Sequence, residues 1–506
     1  MLCSPYRRII GAAALLLALS SSGLALEQGV VAAPQPLEFL VTFDSKVSAT
    51  PFTGRVFVML SKRPINGVLG GINWFNPEPT FALDIKDWQP GQQAVLAANA
   101  MGYPYQLAKL PSGKYWLQAV MDFDRGGKNF SAFDGNGYSK AVSLDLDSAT
   151  SGPISLTIDQ VYASSPFRES VRVKLVDIES KLLSEFNGRP THLRAAVLLP
   201  KSYAAEQNKR YPIVYEIPGF GGTHAMAAFA LTRGATDVAG VETLHVVLDP
   251  SCRWGHSVFA DSDNNGPCGK ALIEELIPHI EKQFRALGRP SARFVAGHSS
   301  GGWSSLWLQV TYPDFFGGVW STAPDPIDFR DFLRTNLYQP GANLFVDEAG
   351  KQRPLARSHG KTLFLCKPFS DMEVVMGHGG QLVSFEAVFG PRGPDGKPAQ
   401  LWNRQTGAID IAIAKTWERY DIRMLLENNW QTLGPKLAGK VHVYVGSEDM
   451  FFLEGPVRFL KESLGKLGSD AVIEIFPGKD HGTLMDAAMR QRIAREMAEQ
   501  FRRLNP

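Results

Sequence analysis

The sequence predicts an α/β fold with a mostly parallel sheet flanked by helices, preceded by a small antiparallel β-sandwich domain. Two patterns carry this prediction. After Tyr162, apolar strand-like runs alternate with helical segments, which is typical of βα units around a parallel sheet. Before that point, from Leu37 to about Val161, short alternating or β-branched runs are broken by Gly, Pro and Asn, and no long helical period competes with them.

The first predicted domain, the N-terminal β-sandwich, covers residues 26–165. Its strands are predicted from β-branched and alternating runs between turn residues. They are Leu37–Phe43, Gly54–Ser61, Gly113–Met121, Lys140–Leu146 and Ile154–Ile158. Its aromatic residues, such as Trp74 and Tyr105, are expected to serve core and inter-domain packing, with a sugar-binding face as the alternative.

The second predicted domain covers residues 166–506 and holds the parallel sheet. Helices are predicted at Lys270–Leu287 and Leu484–Phe501, where apolar residues recur at helical spacing. The alternation of strands and helices is interrupted at about 323–436. An irregular insertion of this length predicts a lid over a site. The predicted strands are Leu193–Leu199, Tyr211–Ile217, Leu244–Leu248, Ala292–Ala296, Gly318–Ser321, Val441–Val445 and Ala471–Phe476.

Composition excludes several classes of protein. With 44% hydrophobic and 20% charged residues, the 506-residue chain is not expected to be disordered, fibrous or a polytopic membrane protein. The formal charge of +2 argues against dedicated nucleic-acid binding through a broadly basic surface. Neither the oligomeric state nor a protein partner is indicated.

Residues 1–25 are predicted to be an export signal. Arg7 and Arg8 supply the positive region, Ile9–Leu19 the apolar stretch, and Gly23 and Ala25 the small residues before a cleavage site. The apolar stretch is short for a membrane span. We therefore expect a periplasmic or secreted protein with no stable membrane anchor.

Cys252 and Cys268 flank one Gly/Asn/Asp-rich loop and are the candidate disulfide of an exported protein, with buried thiols as the alternative. The same loop begins like a calcium-binding loop, but Leu272 stands where a bidentate Glu is required. The histidines and cysteines show no zinc spacing. The sequence therefore predicts neither a metal nor an organic cofactor.

The strongest motif is Gly297-His298-Ser299-Ser300-Gly301, which follows one predicted strand and opens a helix. A serine on so sharp a strand-to-helix turn is exposed for nucleophilic attack, and the flanking glycines let neighbouring backbones approach. This context predicts Ser299 as a catalytic nucleophile.

A serine nucleophile needs a base to take its proton and an acid to orient that base. In this architecture the three residues follow one another along the chain as nucleophile, acid and histidine. His481 lies in a loop between the last predicted strand and the last helix, where it can reach over the sheet. Asp449 directly follows the apolar strand Val441–Val445, where a carboxylate can orient the imidazole. Glu448 is the alternative acid.

An oxyanion hole needs two backbone N–H donors, one of which comes from the residue after the nucleophile, here Ser300. The strand Tyr211–Ile217 ends in Pro218-Gly219-Phe220-Gly221-Gly222, and Phe220 or Gly221 is expected to supply the second donor. This loop lacks the glycine spacing and the lysine of nucleotide-binding loops.

Several segments together resemble the Putative esterase family, which includes esterase D, enterochelin, feruloyl and acetyl-xylan esterases and mycolyltransferases. They are Tyr211–Gly222, Asn265–Pro267 with Glu274–Pro278, Gly297–Gly302 with Tyr312–Phe316, and the late Asp449 and His481. The resemblance covers about Val171 to Pro506 and implies an α/β-hydrolase fold with Ser299, Asp449 and His481 as its triad. Two departures are a loop without the histidine that many members carry before Gly219, and the long insertion.

These features predict an exported serine esterase that works through an acyl-enzyme on a small-molecule or glycan-linked substrate, such as a carbohydrate, aryl or siderophore ester. One alternative is an acyltransferase of the mycolyltransferase type. The other is a non-catalytic glycan-binding protein on a hydrolase scaffold.

Overall fold

A computed structural model describes residues 35–127 and 129–506. The predicted export signal therefore lies outside the described residues. The described chain contains two large sheets, one formed before residue 162 and one after residue 172.

The N-terminal sheet has nine strands in the order β4-β1-β9-β7-β6-β2-β3-β5, with β8 paired to β6. Neighbouring strands are antiparallel except β1 and β9, which pair in parallel with Phe39 opposite Ile154. The predicted antiparallel-rich region is confirmed, although all nine strands belong to one hydrogen-bonded network. The strands are β1 Gln35–Phe43, β2 Phe52–Ser61, β3 Thr80–Trp88, β4 Ala94–Leu96, β5 Met101–Tyr103, β6 Gly113–Asp122, β7 Gly137–Ser139, β8 Val142–Leu146 and β9 Ser151–Val161.

The second sheet has eight strands in the order β10-β11-β13-β12-β14-β15-β16-β17. The first two pairings are antiparallel and the rest are parallel. This order confirms the predicted α/β-hydrolase fold and brings the carboxyl ends of β12, β14, β15 and β16 to one edge. The strands are β10 Val173–Glu179, β11 His192–Leu198, β12 Ile213–Ile217, β13 Leu244–Leu248, β14 Arg293–His298, β15 Gly318–Thr322, β16 Val441–Gly446 and β17 Val472–Phe476.

Helices pack against this sheet and are also found in the insertion. A π-helical turn, Leu272–Leu276, joins α3 to α4, so that one continuous helix runs from Cys268 to Gln283. The helices are α1 Lys181–Asn187, α2 Ala227–Thr232, α3 Cys268–Ala271, α4 Ile277–Gln283, α5 Ser300–Thr311, α6 Cys366–Met376, α7 Gln381–Phe389, α8 Ile411–Trp417, α9 Ile422–Leu437, α10 Glu454–Lys466 and α11 Ala487–Leu504. Four two-stranded ribbons complete the regular structure: Asp237–Val238 with Val241–Glu242, Ser251–Cys252 with Gly255–His256, Asp261–Ser262 with Gly266–Pro267, and Pro354–Ser358 with Lys361–Leu365.

Some predicted elements differ from the structure. The helix predicted over Lys270–Leu287 ends earlier, because Phe284 leaves helical geometry and Arg285 has a φ of 52°. Strand β3 was not predicted, since Asp84, Lys86 and Asp87 interrupt its apolar pattern where it is only half-buried.

The insertion between β15 and β16 contains one ribbon and the four helices α6 to α9. Asp421 separates α8 from α9 because its side chain accepts a hydrogen bond from the Met424 backbone N–H at 2.8 Å and caps the second helix. Phe329, Phe385 and Trp417 pack the insertion into the same core as the eight-stranded sheet. The predicted domain boundaries and the lid role stay predictions.

Within residues 35–127 and 129–506, no helix combines the length and the apolar character that a membrane crossing requires.

Candidate active site

Ser299 lies on the turn between β14 and α5, with φ 61° and ψ −125°. Such a conformation is strained for a residue with a side chain and is found mainly where function requires it. The turn is held on both sides: the Ser299 N–H donates to the Thr322 carbonyl at 3.0 Å, and the Trp303 N–H donates to the Ser299 carbonyl at 3.0 Å. These two bonds fix the Ser299 backbone at the carboxyl edge of the sheet.

The two glycines of the motif are required by close backbone contacts. A Cβ on Gly301 would lie 1.9 Å from the Ile217 carbonyl oxygen, and one on Gly297 would lie 2.1 Å from the Gly301 carbonyl oxygen. Both distances are far inside van der Waals contact. The tight packing of α5 against β12 therefore depends on glycine at these positions.

His481 and Asp449 meet at the same edge. The His481 Nδ1 atom lies 2.8 Å from Oδ2 of Asp449, whose side chain is fully buried. The other carboxylate oxygen accepts a hydrogen bond from the Phe451 N–H at 2.9 Å. Glu448, the alternative acid, is exposed, and Asp480 instead accepts hydrogen bonds from the Gly482 and Thr483 N–H groups of its own loop.

Two rings enclose the His481 imidazole. The ring centroid of His298 lies 4.5 Å away and that of Phe451 lies 5.0 Å away, the latter perpendicular to it. Burial, and next the nearby His481, lower the pKa of His298 to about 3. His298 is therefore neutral at physiological pH and adds no positive charge beside His481.

Asp325 is a site residue that sequence reasoning missed. It follows β15, and its Oδ2 accepts a hydrogen bond from the Ser300 hydroxyl at 2.5 Å. Burial raises the pKa of this carboxyl to about 6, against the lowering effect of the Ser300 hydrogen bond. A carboxylate shortly after a strand end, as in Pro324-Asp325-Pro326, was the signal that could have identified it.

The glycine-rich loop after β12 lies against the nucleophile. A Cβ on Gly219 would lie 3.2 Å from the Ser299 Cβ, so the predicted oxyanion donors Phe220 and Gly221 follow a residue that borders Ser299. Gly221 has a φ of 87°, which explains a glycine there. Ser300 begins α5, and the roles of all three backbone N–H groups stay predictions.

His256 supports this loop, a role that the sequence did not indicate. Its Nε2 lies 2.9 Å from the Pro218 carbonyl oxygen, and its Nδ1 accepts a hydrogen bond from the Val258 N–H at 3.0 Å. Its backbone carbonyl accepts a hydrogen bond from the Ser384 hydroxyl of α7 at 2.9 Å. His256 therefore links the glycine-rich loop, through its imidazole, to the insertion, through its backbone.

The structure does not join Cys252 and Cys268 as a disulfide. The Cys252 thiol donates to Oδ1 of Asn265 at 3.4 Å, and the Cys268 thiol donates to the Asn265 carbonyl oxygen at 3.3 Å. Burial also raises the pKa of the Cys268 thiol, which disfavours the thiolate that disulfide exchange requires. These findings do not support the predicted disulfide.

Among residues 35–127 and 129–506, no three His, Cys, Asp or Glu side chains are grouped as a metal site would require.

Comparisons with known proteins identify one matching family and several similar solved structures. The family described as Putative esterase matches residues 187–466, a segment that includes Ser299 and Asp449 and ends before His481. Among solved structures, the chain is similar to a ferulic acid esterase, with 16% identity, a TM-score of 0.42, and coverage of 65% of this chain and 99% of that chain. It is also similar to an S-formylglutathione hydrolase from Agrobacterium tumefaciens, with 15% identity, a TM-score of 0.38, and coverage of 66% and 95%. A CE1 ferulic acid esterase from Anaeromyces mucronatus shares 17% identity, with a TM-score of 0.33 and coverage of 68% and 95%. No curated protein sequence matches the chain.

Proposed function

This chain belongs to the Putative esterase family and is a carboxylic ester hydrolase, and from that premise we propose that Ser299, His481 and Asp449 are its catalytic triad. The observation that carries the proposal is the 2.8 Å contact between His481 Nδ1 and Asp449 Oδ2 at the sheet edge where Ser299 occupies its strained turn. The triad follows the chain order expected of this fold.

The reaction begins when the Ser299 hydroxyl oxygen attacks the ester carbonyl carbon and its proton passes to Nε2 of His481. Asp449 accepts the hydrogen bond from the Nδ1–H and stabilises the imidazolium that forms. The N–H of Ser300 and that of Phe220 or Gly221 stabilise the negative charge on the carbonyl oxygen.

Collapse of the tetrahedral intermediate breaks the bond to the alcohol oxygen, which takes the proton from His481. Water then gives a proton to His481 and attacks the acyl-enzyme, and the carboxylic acid leaves as Ser299 recovers its proton. This sequence uses only groups of the chain, the ester and water.

Hydrolysis of p-nitrophenyl acetate by the wild type, Ser299→Ala and Ser165→Ala tests the triad. Ser165 is an exposed serine between the two sheets and provides the matched control. We expect Ser299→Ala to lose at least about 10³-fold in kcat and to lose covalent labelling by a fluorophosphonate, while Ser165→Ala keeps both. A wild type that is neither active nor labelled would contradict the proposal and favour a glycan-binding protein on a hydrolase scaffold.

The acceptor that resolves the acyl-enzyme is proposed to be water. Product analysis with and without added sugar or lipid alcohols distinguishes hydrolysis from acyl transfer. Free acid as the main product in the presence of these alcohols supports an esterase. Dominant formation of a new ester would instead identify an acyltransferase.

We also propose that the protein is exported and that it acts on a small-molecule or glycan-linked ester. The support for export is the pattern of Arg7, Arg8 and the apolar stretch Ile9–Leu19. Expression of the full chain in a bacterial host, fractionation and mass measurement test it. A periplasmic or secreted species that begins near Leu26 is expected, and a cytoplasmic species that keeps Met1–Ala25 would contradict it.

A further inference from the structure

Trp74 links the N-terminal sheet region to the candidate active site. It is half-buried in the connection between β2 and β3. Its ring stacks on that of Phe220 in the glycine-rich loop, with centroids 5.5 Å apart, and contacts the Phe369 ring of α6 edge-on at 4.9 Å. A residue distant in sequence from the hydrolase sheet therefore packs directly on a predicted oxyanion residue.

Trp74 and Phe369 border a cavity of about 20 Å³. Most of its wall is apolar, and Asp325 and Gln381 are its polar members. The apolar wall includes Trp74, Leu333, Leu355, Phe369, Phe385 and Phe451.

The cavity borders the candidate active site, because three of its wall residues contact Ser299, His481 and Phe220. The Asp325 backbone N–H donates to the Ser299 carbonyl at 3.3 Å. The Phe451 ring lies against His481 at 5.0 Å, and Trp74 lies on Phe220. An acyl group attached to the Ser299 oxygen would have this cavity as an adjacent apolar space.

The volume of the cavity limits what it can hold. One water molecule needs roughly 10–15 Å³. The cavity, at about 20 Å³, is slightly larger and therefore has room for a group about as large as one water molecule. A methyl group is comparable in size, whereas an octanoyl chain or an aromatic ring exceeds this volume and would have to extend beyond the cavity or displace a wall. Protein interiors resist such displacement because they are closely packed.

Resting on the function proposed above, we propose that this cavity binds the acyl group, that Trp74 forms one of its walls, and that the enzyme therefore prefers acetyl esters. The N-terminal region then determines substrate specificity through one side chain. Phe75, the next residue, is 59% exposed and does not line the cavity, so it provides a matched aromatic control.

The test measures kcat/KM for p-nitrophenyl acetate, butyrate, octanoate and benzoate with the wild type, Trp74→Ala, Trp74→Leu and Phe75→Ala. The wild type is expected to prefer acetate to octanoate by at least about 100-fold, since the octanoyl chain is much larger than the cavity. Trp74→Ala should lower this preference at least about 10-fold by gaining octanoate and benzoate activity. Trp74→Leu should lower it less, and Phe75→Ala should match the wild type.

A wild type that hydrolyses octanoate as well as acetate, or a preference unchanged in the folded Trp74 variants, would overturn this inference alone. Thermal unfolding identifies folded variants, and if Trp74→Ala does not fold, Trp74→Leu decides. A wild type that hydrolyses none of the four esters and resists fluorophosphonate labelling would instead overturn the proposed function, and the cavity assignment with it.

Discussion

Asp449 and His481 are 32 positions apart in sequence, yet Oδ2 of Asp449 lies 2.8 Å from Nδ1 of His481. Two neighbouring parallel strands, β16 and β17, bring them together, because each residue lies in the loop that follows one of these strands. The contact holds the imidazole with Nδ1 directed at the carboxylate, which leaves Nε2 for the proton transfer proposed above.

Removal of the negative charge of Asp449 should slow ester hydrolysis. An amide at this position can favour the wrong imidazole tautomer and cannot stabilise the imidazolium, so Asp449→Asn is expected to lower kcat by about 10³- to 10⁴-fold. The measurement is steady-state hydrolysis of p-nitrophenyl acetate. Glu448→Gln, one residue earlier and exposed, is the matched control, and a comparable loss in that variant would contradict the assignment.

The two helix glycines Gly301 and Gly465 should respond oppositely to alanine. Gly301→Ala would place a Cβ 1.9 Å from the Ile217 carbonyl oxygen and is expected to lower the free energy of unfolding by about 2 kcal/mol or more. Gly465, in α10, has open space around its Cβ position, so Gly465→Ala should raise the free energy of unfolding by about 0.5–1 kcal/mol. Urea unfolding measures both, and equal effects would contradict the packing argument.

Asp325 should make stability depend on pH. Burial raises its pKa to about 6 from an ordinary value of 3.8, so the folded state binds this proton more tightly than the unfolded state does. The contribution of Asp325 to the free energy of unfolding is then most favourable below about pH 4 and is lost as pH rises through about 6.

Asp325→Asn cannot ionise and should remove that dependence. Between pH 4.5 and 7.5, the free energy of unfolding of the variant is expected to rise by about 2 kcal/mol relative to the wild type. Urea unfolding at both pH values provides the measurement. Parallel pH profiles for the two proteins would show that the carboxyl is not protonated in the folded state.

His378 and Asp122 should couple the two sheet regions in a pH-dependent manner. The Nε2 atom of His378, in the insertion, lies 2.7 Å from Oδ2 of Asp122 at the end of β6, and both side chains are buried. Hydrogen bonding and charge from Asp122, with a further contribution from Asp124, outweigh burial and raise the pKa of His378 above 6.5. The stabilising contribution is therefore complete below pH 6.5 and is lost as pH rises through the raised pKa.

The corresponding variant is His378→Gln. Its deficit in free energy of unfolding relative to the wild type should be larger at pH 6 than at pH 9, as measured by urea unfolding. His279→Gln alters an exposed histidine of α4 and should leave the profile unchanged. A deficit that does not vary with pH would contradict a charged pair in the folded protein.

Sequence reasoning identified the residues whose signals are local. The Ser299 turn was recognisable because its glycines, strand and helix are contiguous, and Asp449 because it follows an apolar strand. Strand β3 was not predicted because charged residues occupy its exposed positions, and β10 was not predicted because Lys174 and Asp177 interrupt its apolar residues. The disulfide was predicted from the expected export and from the position of both cysteines beside one loop, whereas in the structure both thiols donate hydrogen bonds to Asn265.

The sequence by itself determined the alternation of strands and helices after Tyr162, the turn that carries Ser299, and the order along the chain in which Asp449 and His481 follow it. These features depend on the spacing at which hydrophobic residues recur along the chain and on backbone geometry over a few residues. Only the tertiary structure decided that Asp325 contacts Ser300, that His256 holds the glycine-rich loop, and that Trp74 borders the cavity beside Ser299. Each of these contacts joins side chains far apart along the chain, and their proximity arises from strand order and packing that no local pattern encodes.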